Sequence, residues 1–186
     1  KKKIIKIITK YKPKVIFNLA AETHVDRSID SPDNFVRTNI NGTFNFLESL
    51  RLLRKKKIFP KLIHISTDEV YGDINNGEHT EDDLLKPSNP YSATKASADM
   101  LVLAWSRTYG IPYVILRPTN NYGEGQYVEK LIPKCCKYIE LGKKIPLHNN
   151  GEPIRNWLHA DDTAASVITI IESGKTNEIY NVCGGF

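Results

Sequence analysis

At 186 residues, with 40% hydrophobic and 25% charged side chains, the chain can bury one real core, and its composition excludes a disordered segment. Its 26 Lys and Arg against 21 Asp and Glu give a net charge of +5, gathered in KKKIIKIITKYKPK at the start and RLLRKKK at 51–57. No nucleic-acid-binding module accompanies these runs, so they read as solvated helix faces and no nucleic-acid partner is expected, while a mildly basic field suits an anionic small substrate.

Lys6 and Lys10 interrupt the N-terminal apolar residues and no later run is long enough to cross a bilayer, so no membrane partner is expected either. Cys135, Cys136 and Cys183 lack CxxC spacing and cannot make a disulfide framework, which suits a reducing compartment; the cytoplasm is the expected location.

In chain order, KVIFNLAAE (14–22) is the first short β-prone apolar run and predicts a strand buried on both faces. From Pro32 to Lys55, Val36, Ile40, Phe44, Leu47 and Leu50 recur at three- and four-residue steps behind a Ser31-Pro32 cap, which predicts an amphipathic helix. PKLIHIST (60–67) predicts a second buried strand, NPYSATKASADMLVLAWSRTYG (89–110) a second long helix ended by Gly110, and IPYVILRP (111–118) a third strand. This β-α-β-α-β order is that of a doubly wound parallel sheet.

Between the second strand and its helix lies a polar connection, 72–89, without a period; connections that long tend to be functional. Beyond Pro118 the sequence predicts a helix at about 128–141, a polar turn HNNGEP, a helix from Asp161 or Asp162 to Glu172, and a short strand in EIYNVCG. A dinucleotide-binding sheet should open with a strand and a glycine-rich turn that meets the pyrophosphate, and nothing before Val15 supplies one. The expected architecture is therefore α/β and Rossmann-like, without its N-terminal strands and Gly-rich turn, and with part of a small C-terminal substrate domain. Residues 1–119 would form the partial dinucleotide-binding domain, and 120–186 would contribute ligand-binding segments and a returning helix and strand.

The chemistry concentrates after the second strand. In HISTDEVYG (64–72) the adjacent carboxylates Asp68 and Glu69 follow a buried strand, where like charges are costly without a task. Tyr91 and Lys95 lie one turn apart on one face of the next helix, where an ammonium would favour the phenolate and make a general base. Carboxyl ends of parallel strands face the ligand crevice, so a hydroxyl, an acid, a base and a phenol could converge there. His24, His64, His79, His148 and His159 lack zinc-ligand spacing, no metal is expected, and His64 reads as a hydrogen-bonded core residue.

At this point the chain resembles the extended short-chain dehydrogenase/reductase superfamily and, within it, the nucleotide-sugar 4,6-dehydratases, most of all those acting on dTDP-glucose. The resemblance rests on NLAAETHVDRSI (18–29), RTNINGT (37–43), HISTDEVYG (64–72), NPYSATKASAD (89–99), NNYGEGQYVEKLIP (120–133) and RNWLHADD (155–162), in the family's order. It implies NAD as cofactor and a nucleotide sugar as substrate. Tyr91, assisted by Lys95 and Thr67, would take the 4-hydroxyl proton while C4 is oxidised; Glu69 would remove the C5 proton while a protonated Asp68 donates to the leaving 6-hydroxyl.

Carried over by position, Leu19, Ala20, Ala21, Glu22, Thr23, Thr38, Ser66, Tyr91, Lys95 and Asn121 would face the cofactor. Thr23, Thr67, Asn120, Lys130, Leu131, Pro146, Leu147, His148 and Arg155 would face the substrate, Arg155 at its diphosphate. Glu124 replaces a frequent proline, which alters the loop without removing a catalytic group. Without the phosphate-binding turn, this segment alone is expected to bind NAD poorly and to be inactive, and the intact protein is expected to extend at both ends.

Two rival readings remain. A related epimerase or decarboxylase would share the sheet and the YxxxK helix but not Asp68; a non-catalytic nucleotide-sugar-binding remnant would not need the catalytic set. The resemblance also implies a homodimer through the helices at 32–55 and 89–110, with Phe44, Leu47, Met100 and Leu103 as candidates for the contact. The choice between dTDP and UDP is left open.

Overall fold

The computed structural model describes residues 1–74 and 77–185, and of residues 148 and 149 the backbone alone. Four parallel strands, β1 (Val15–Asn18), β2 (Lys61–Ile65), β3 (Tyr113–Pro118) and β6 (Glu178–Val182), make one sheet in the order β1-β2-β3-β6. The central pair is buried, every residue of β3 included, as the apolar runs require. The expectation for β1 is corrected: it forms an edge, and Phe17 is 44% exposed, because an edge strand has no neighbour to cover its outer side.

Helices flank both faces, as a doubly wound sheet requires. On one, α1 (Lys2–Tyr11), α4 (Gly42–Arg54) and α5 (Pro90–Tyr109) enclose Ile8, Leu47, Leu50, Leu53, Leu62, Val102 and Ile115. On the other, α7 (Ala160–Ser173) brings Val167, Ile170 and Ile171 against Ile63, Val114 and Leu116. No element is predicted for α1; its Ile4, Ile5 and Ile8 fall at helical steps on the core side while its lysines stay in solvent.

The helix predicted from Pro32 is interrupted. α2 (Val25–Asp30) precedes it, and the run then passes through α3 (Asp33–Phe35), a π turn at Val36–Asn41 and α4. Ser31 ends α2 rather than capping α3, and the helix starts on Pro32, whose carbonyl accepts from Phe35 and Val36. The extra residue of the π turn rotates the chain by about 100°. Val36, predicted on the inner face, is therefore 43% exposed, and Phe35 is buried in its place.

α5 matches its signals: Asn89 and Ser92 form a reciprocal capping box, and Gly110 adopts the left-handed conformation that ends the helix. Beyond β3 lie α6 (Leu131–Glu140) and a small second sheet, in which β4 (Asn120–Tyr122) pairs in parallel with β5 (Trp157–His159). Strands of three residues carry no readable period, so neither was predicted. α7 starts at Ala160 with His159 as its cap, just ahead of the acidic pair predicted to open it. No described helix is long and apolar enough to cross a membrane.

Candidate active site

β2 ends at Ile65 and delivers Ser66 and Thr67, both buried, into a 3-10 turn, Asp68–Tyr71. Thr67 Oγ1 caps that turn by accepting from the Glu69 N–H at 3.3 Å, and donates to Asp68 Oδ1 at 3.2 Å. Asn89 Nδ2, at the start of α5, donates to Glu69 Oε2 at 3.3 Å. Two residues on, the Tyr91 N–H donates to Ser28 Oγ at 3.1 Å, so α2 holds the first turn of α5 against the strand end. Lys95, one turn further and 5% exposed, donates to the Ile65 carbonyl at 2.6 Å.

These positions split the ionisations. Burial, and then the negative charge of Glu69, push the Asp68 carboxyl up to about 6. Burial brings the Lys95 ammonium down to about 8, against the pull of Asp99. Tyr91 differs from the sequence expectation: burial and then the Glu69 charge push its phenol above the ordinary value, with the Thr67 hydroxyl drawing it back. The Lys95 ammonium is directed at the Ile65 carbonyl.

Below this layer a polar row crosses the sheet. Asn18 Nδ2 meets His64 Nδ1 at 3.1 Å, His64 Nε2 lies 3.6 Å from Asp99 Oδ1, and Arg117 Nε donates to Asp99 Oδ2 at 3.1 Å. His64 is thus the buried, hydrogen-bonded core residue expected, and burial lowers it to about 3, so it stays neutral.

The segment predicted to face a cofactor runs off the carboxyl end of β1. Leu19, Ala20, Glu22 and Thr23 are exposed and Ala21 half-buried, so the run offers small or open side chains and bare backbone. Asn39, absent from the predicted set, fixes it: its Oδ1 accepts from the Glu22 N–H at 2.9 Å, and its Nδ2 donates to the Glu22 carbonyl and to Thr94 Oγ1. Asn39 is 2% exposed, and the sign of it in the sequence is a polar residue on the inner face of an amphipathic helix. Its neighbour Thr38 is half-buried in the π turn.

The predicted substrate residues divide. Lys130 Nζ donates to the Thr23 carbonyl at 3.0 Å, which joins two of them, and Leu131 beside it is 47% exposed. Burial lowers the Lys130 ammonium. Asn120 lies in β4, where its N–H donates to the Asn156 carbonyl, and Arg155 precedes Asn156 in the chain just before β5. Arg155 is exposed and has no carboxylate partner among the described residues. Asn121, predicted beside the cofactor, spends its amide inside the protein: Nδ2 donates to the Thr119 carbonyl and Oδ1 accepts from Thr163 Oγ1. Pro146 and Leu147 are exposed, and no hydrogen bond among the described residues ties them to the Tyr91 group; the His148 side chain lies outside the described residues.

A hydroxyl, a raised carboxyl, a hydrogen-bonded carboxylate, a phenol and an ammonium thus meet at one strand end, a set suited to moving two protons on a small polar ligand. The chain is 45% identical over 180 residues to a probable dTDP-glucose 4,6-dehydratase of Sinorhizobium fredii, covering 94% of this chain and 51% of that protein. It superposes on DesIV, the dTDP-glucose 4,6-dehydratase of Streptomyces venezuelae solved with NAD and TYD bound, with a TM-score of 0.89 and 37% identity over 98% of this chain and 56% of that one. UDP-glucuronic acid 4-epimerase of Bacillus cereus, at 28% identity and a TM-score of 0.90, covers 98% of this chain and 57% of its own. The chain spans about half the length of the curated relatives it matches. The family model for GDP-mannose 4,6 dehydratase matches residues 1–185, and the chain belongs to that family, within the short-chain dehydrogenase/reductase superfamily whose sheet and YxxxK helix it carries.

Proposed function

We propose that this chain carries the catalytic residues of an NAD-dependent nucleotide-sugar 4,6-dehydratase, with dTDP-glucose the favoured substrate and a 4-keto-6-deoxy sugar the product. The observation that carries the reading is the pair Asp68 and Glu69 on one turn beside Tyr91, with Asp68 pushed up to about 6 and Glu69 accepting a hydrogen bond from Asn89. Elimination of water needs a proton donor and a proton acceptor at once, and this turn supplies both.

NAD fits the open run 19–23 beside Tyr91 and Lys95. Leu19, Ala20, Ala21, Glu22, Thr23, Thr38, Ser66, Tyr91, Lys95 and, through its backbone, Asn121 would hold its nicotinamide and ribose side. Bound there, NAD would supply the hydride acceptor for C4 and the hydride donor for C6, and its positive charge would oppose the effect of burial on Tyr91. Tyr91, beside Thr67, takes the proton of the 4-hydroxyl; the ketone so formed acidifies C5. Glu69 removes the C5 proton, the C6–O bond breaks, and Asp68 gives its proton to the departing oxygen.

Residues 1–119 would act as the cofactor-binding and catalytic unit, and 120–186 as the substrate-binding part. Lys130 and Arg155 supply cations for a diphosphate; Thr23, Asn120, Leu131, Pro146, Leu147 and His148 complete the nucleotide-sugar contacts. Two copies would pair through the outer faces of the helices at 33–54 and 90–109, where Met100 is 47% exposed. Leu47 leaves that contact set, being fully buried in the core. Three cysteines without disulfides suit the cytoplasm.

Incubating the intact protein with NAD and either dTDP-glucose or UDP-glucose, and weighing the product, tests the reading. Loss of one water is the expected result, and the nucleotide that supports it identifies the substrate. An unchanged mass with inverted sugar stereochemistry would assign an epimerase.

A further inference from the structure

The catalytic groups stand on two separate mounts. Tyr91 and Lys95 belong to a twenty-residue helix whose start is fixed by the Asn89–Ser92 capping box, by Ser28 and, through Thr94, by Asn39. Asp68 and Glu69 sit on a turn of four residues. The backbone bonds at its two ends are long, Val70 N–H to Thr67 carbonyl at 3.5 Å and Gly72 N–H to Glu69 carbonyl at 3.2 Å. A turn held so weakly from within must be held from outside.

Asn89 holds Glu69, the Lys86 N–H holds the Val70 carbonyl at 3.1 Å, and the fastening with the most partners is Tyr71, the last residue of the turn, 3% exposed. Its hydroxyl accepts from Arg117 Nη1 at 2.7 Å and donates to Asn181 Oδ1 at 2.8 Å, so one phenol joins the turn to β3 and β6. The Arg117 guanidinium lies 4.8 Å from the ring centroid, and His79 stacks on the ring at 4.9 Å with 17° between planes. Arg117 is itself fixed by Asp99, and it also donates to the Glu81 carbonyl. The Asn181 N–H donates to Glu81 Oε1 at 2.7 Å and its side-chain amide donates to the His79 carbonyl, so the connection after the turn is bound to the same point. Gly72 closes the fastening: at φ +89° it lies so near the Lys86 carbonyl that a Cβ there would stand 2.1 Å from its oxygen.

We infer that Tyr71 is a positioning residue for the elimination half of the reaction, acting with Arg117 and Asn181 as a latch that sets where Asp68 and Glu69 point. The inference rests on the dehydratase reading. The phenol touches neither ring carbon nor cofactor; it acts through the turn. Because Tyr91 and Lys95 are mounted elsewhere, releasing the latch displaces the acid and base and leaves the C4 oxidation in register.

The test uses the intact protein, its Tyr71→Phe variant, which keeps the ring and deletes the hydroxyl, and Asn181→Leu, which deletes the acceptor. Three quantities are read: water loss from dTDP-glucose by mass, the rate at which NAD is reduced by the 6-deoxy analogue of that sugar, which has no 6-hydroxyl to lose, and amide hydrogen exchange over residues 68–72. In both variants water loss falls at least about tenfold, as a misplacement under 1 Å suffices to produce, while reduction by the 6-deoxy analogue stays within about twofold and exchange in the turn quickens. Equal slowing of both reactions, slowing of neither, or unchanged exchange overturns the latch while leaving the dehydratase reading intact. If Tyr71→Phe does not fold, Asn181→Leu decides; loss of the fold in both makes the contacts structural only and overturns the inference. A wild-type protein that removes no water from either nucleotide sugar defeats the dehydratase reading, and the latch with it.

Discussion

The stretch before Asn120 and the stretch after it are packed to different standards. Every residue of β3 is buried and α5 buries a whole face, whereas α6 and α7 contain no buried residue, and past Thr119 only Leu158 and Val182, among the described residues, are buried. Leu147 and Ile154 are 63% and 90% exposed. The proposed acid and base are set in the dense part, and of the cations proposed to receive an anionic ligand Arg155 stands exposed on the open part while Lys130 reaches back to the Thr23 carbonyl.

Deleting an arginine on each side exposes the difference. Arg117→Met takes the guanidinium partner from the buried Asp99 carboxyl, and should cost ~3–5 kcal/mol in a denaturant titration of the intact protein. Arg155→Met removes an exposed guanidinium without a carboxylate partner among the described residues, and should stay within about 0.5 kcal/mol. Similar losses at the two positions would show that burial does not govern this contrast.

Next in size is Asp68→Asn, which keeps the volume and removes the transferable proton, so water loss should slow by about 100-fold. The sign of the pH dependence comes from the ionisation: as the proposed acid Asp68 would work protonated, burial has raised it to about 6, and kcat/KM reports the free enzyme. The kcat/KM of the wild type should fall as pH rises through about 6, and that limb should be missing from the variant. A wild-type profile flat across that range would remove Asp68 from the acid role.

The dense part is also the legible part. The three strands predicted there and the helix from Asn89 to Gly110 declare themselves by apolar runs and caps, with only the burial of β1 overstated, since burial and backbone geometry act on neighbouring residues. The HISTDEVYG and YxxxK signals likewise lead to side chains that the fold brings together. What escapes the sequence is set at long range. The π turn moves Val36 outward, Asn39 fixes Glu22 from another element, and Tyr71 reaches Asn181 across 110 positions of chain. On the open side, β4 and β5 are too short for a period, and the commitment of the Asn121 amide to Thr119 and Thr163 depends on a contact that no local pattern records.

A smaller effect belongs to the open side. If Arg155 meets the diphosphate, replacing it by Gln removes a charged hydrogen bond worth ~1.5–3 kcal/mol, roughly a 10- to 100-fold loss of substrate affinity, with kcat little altered. Binding of the nucleotide diphosphate alone, measured by calorimetry on the intact protein, reads it directly. Unchanged affinity would leave Lys130 as the one diphosphate cation in the proposed set.

The smallest effect lies where both mounts meet, at Asn89. Its Oδ1 accepts from the Ser92 N–H at 2.9 Å and caps α5, while its Nδ2 holds Glu69 at 3.3 Å. Asn89→Ala loses both contacts and should cost about 1 kcal/mol of stability together with activity. Asn89→Asp keeps the cap, and a negative charge is welcome at a helix N-terminus, so stability should stay within a few tenths of a kcal/mol. The same change replaces a donor to Glu69 by a second carboxylate, so dehydration should still slow while the unfolding midpoint does not move. Full activity in the Asn89→Asp variant would mean that Glu69 needs no mooring from α5, leaving the 3-10 turn alone to aim the base.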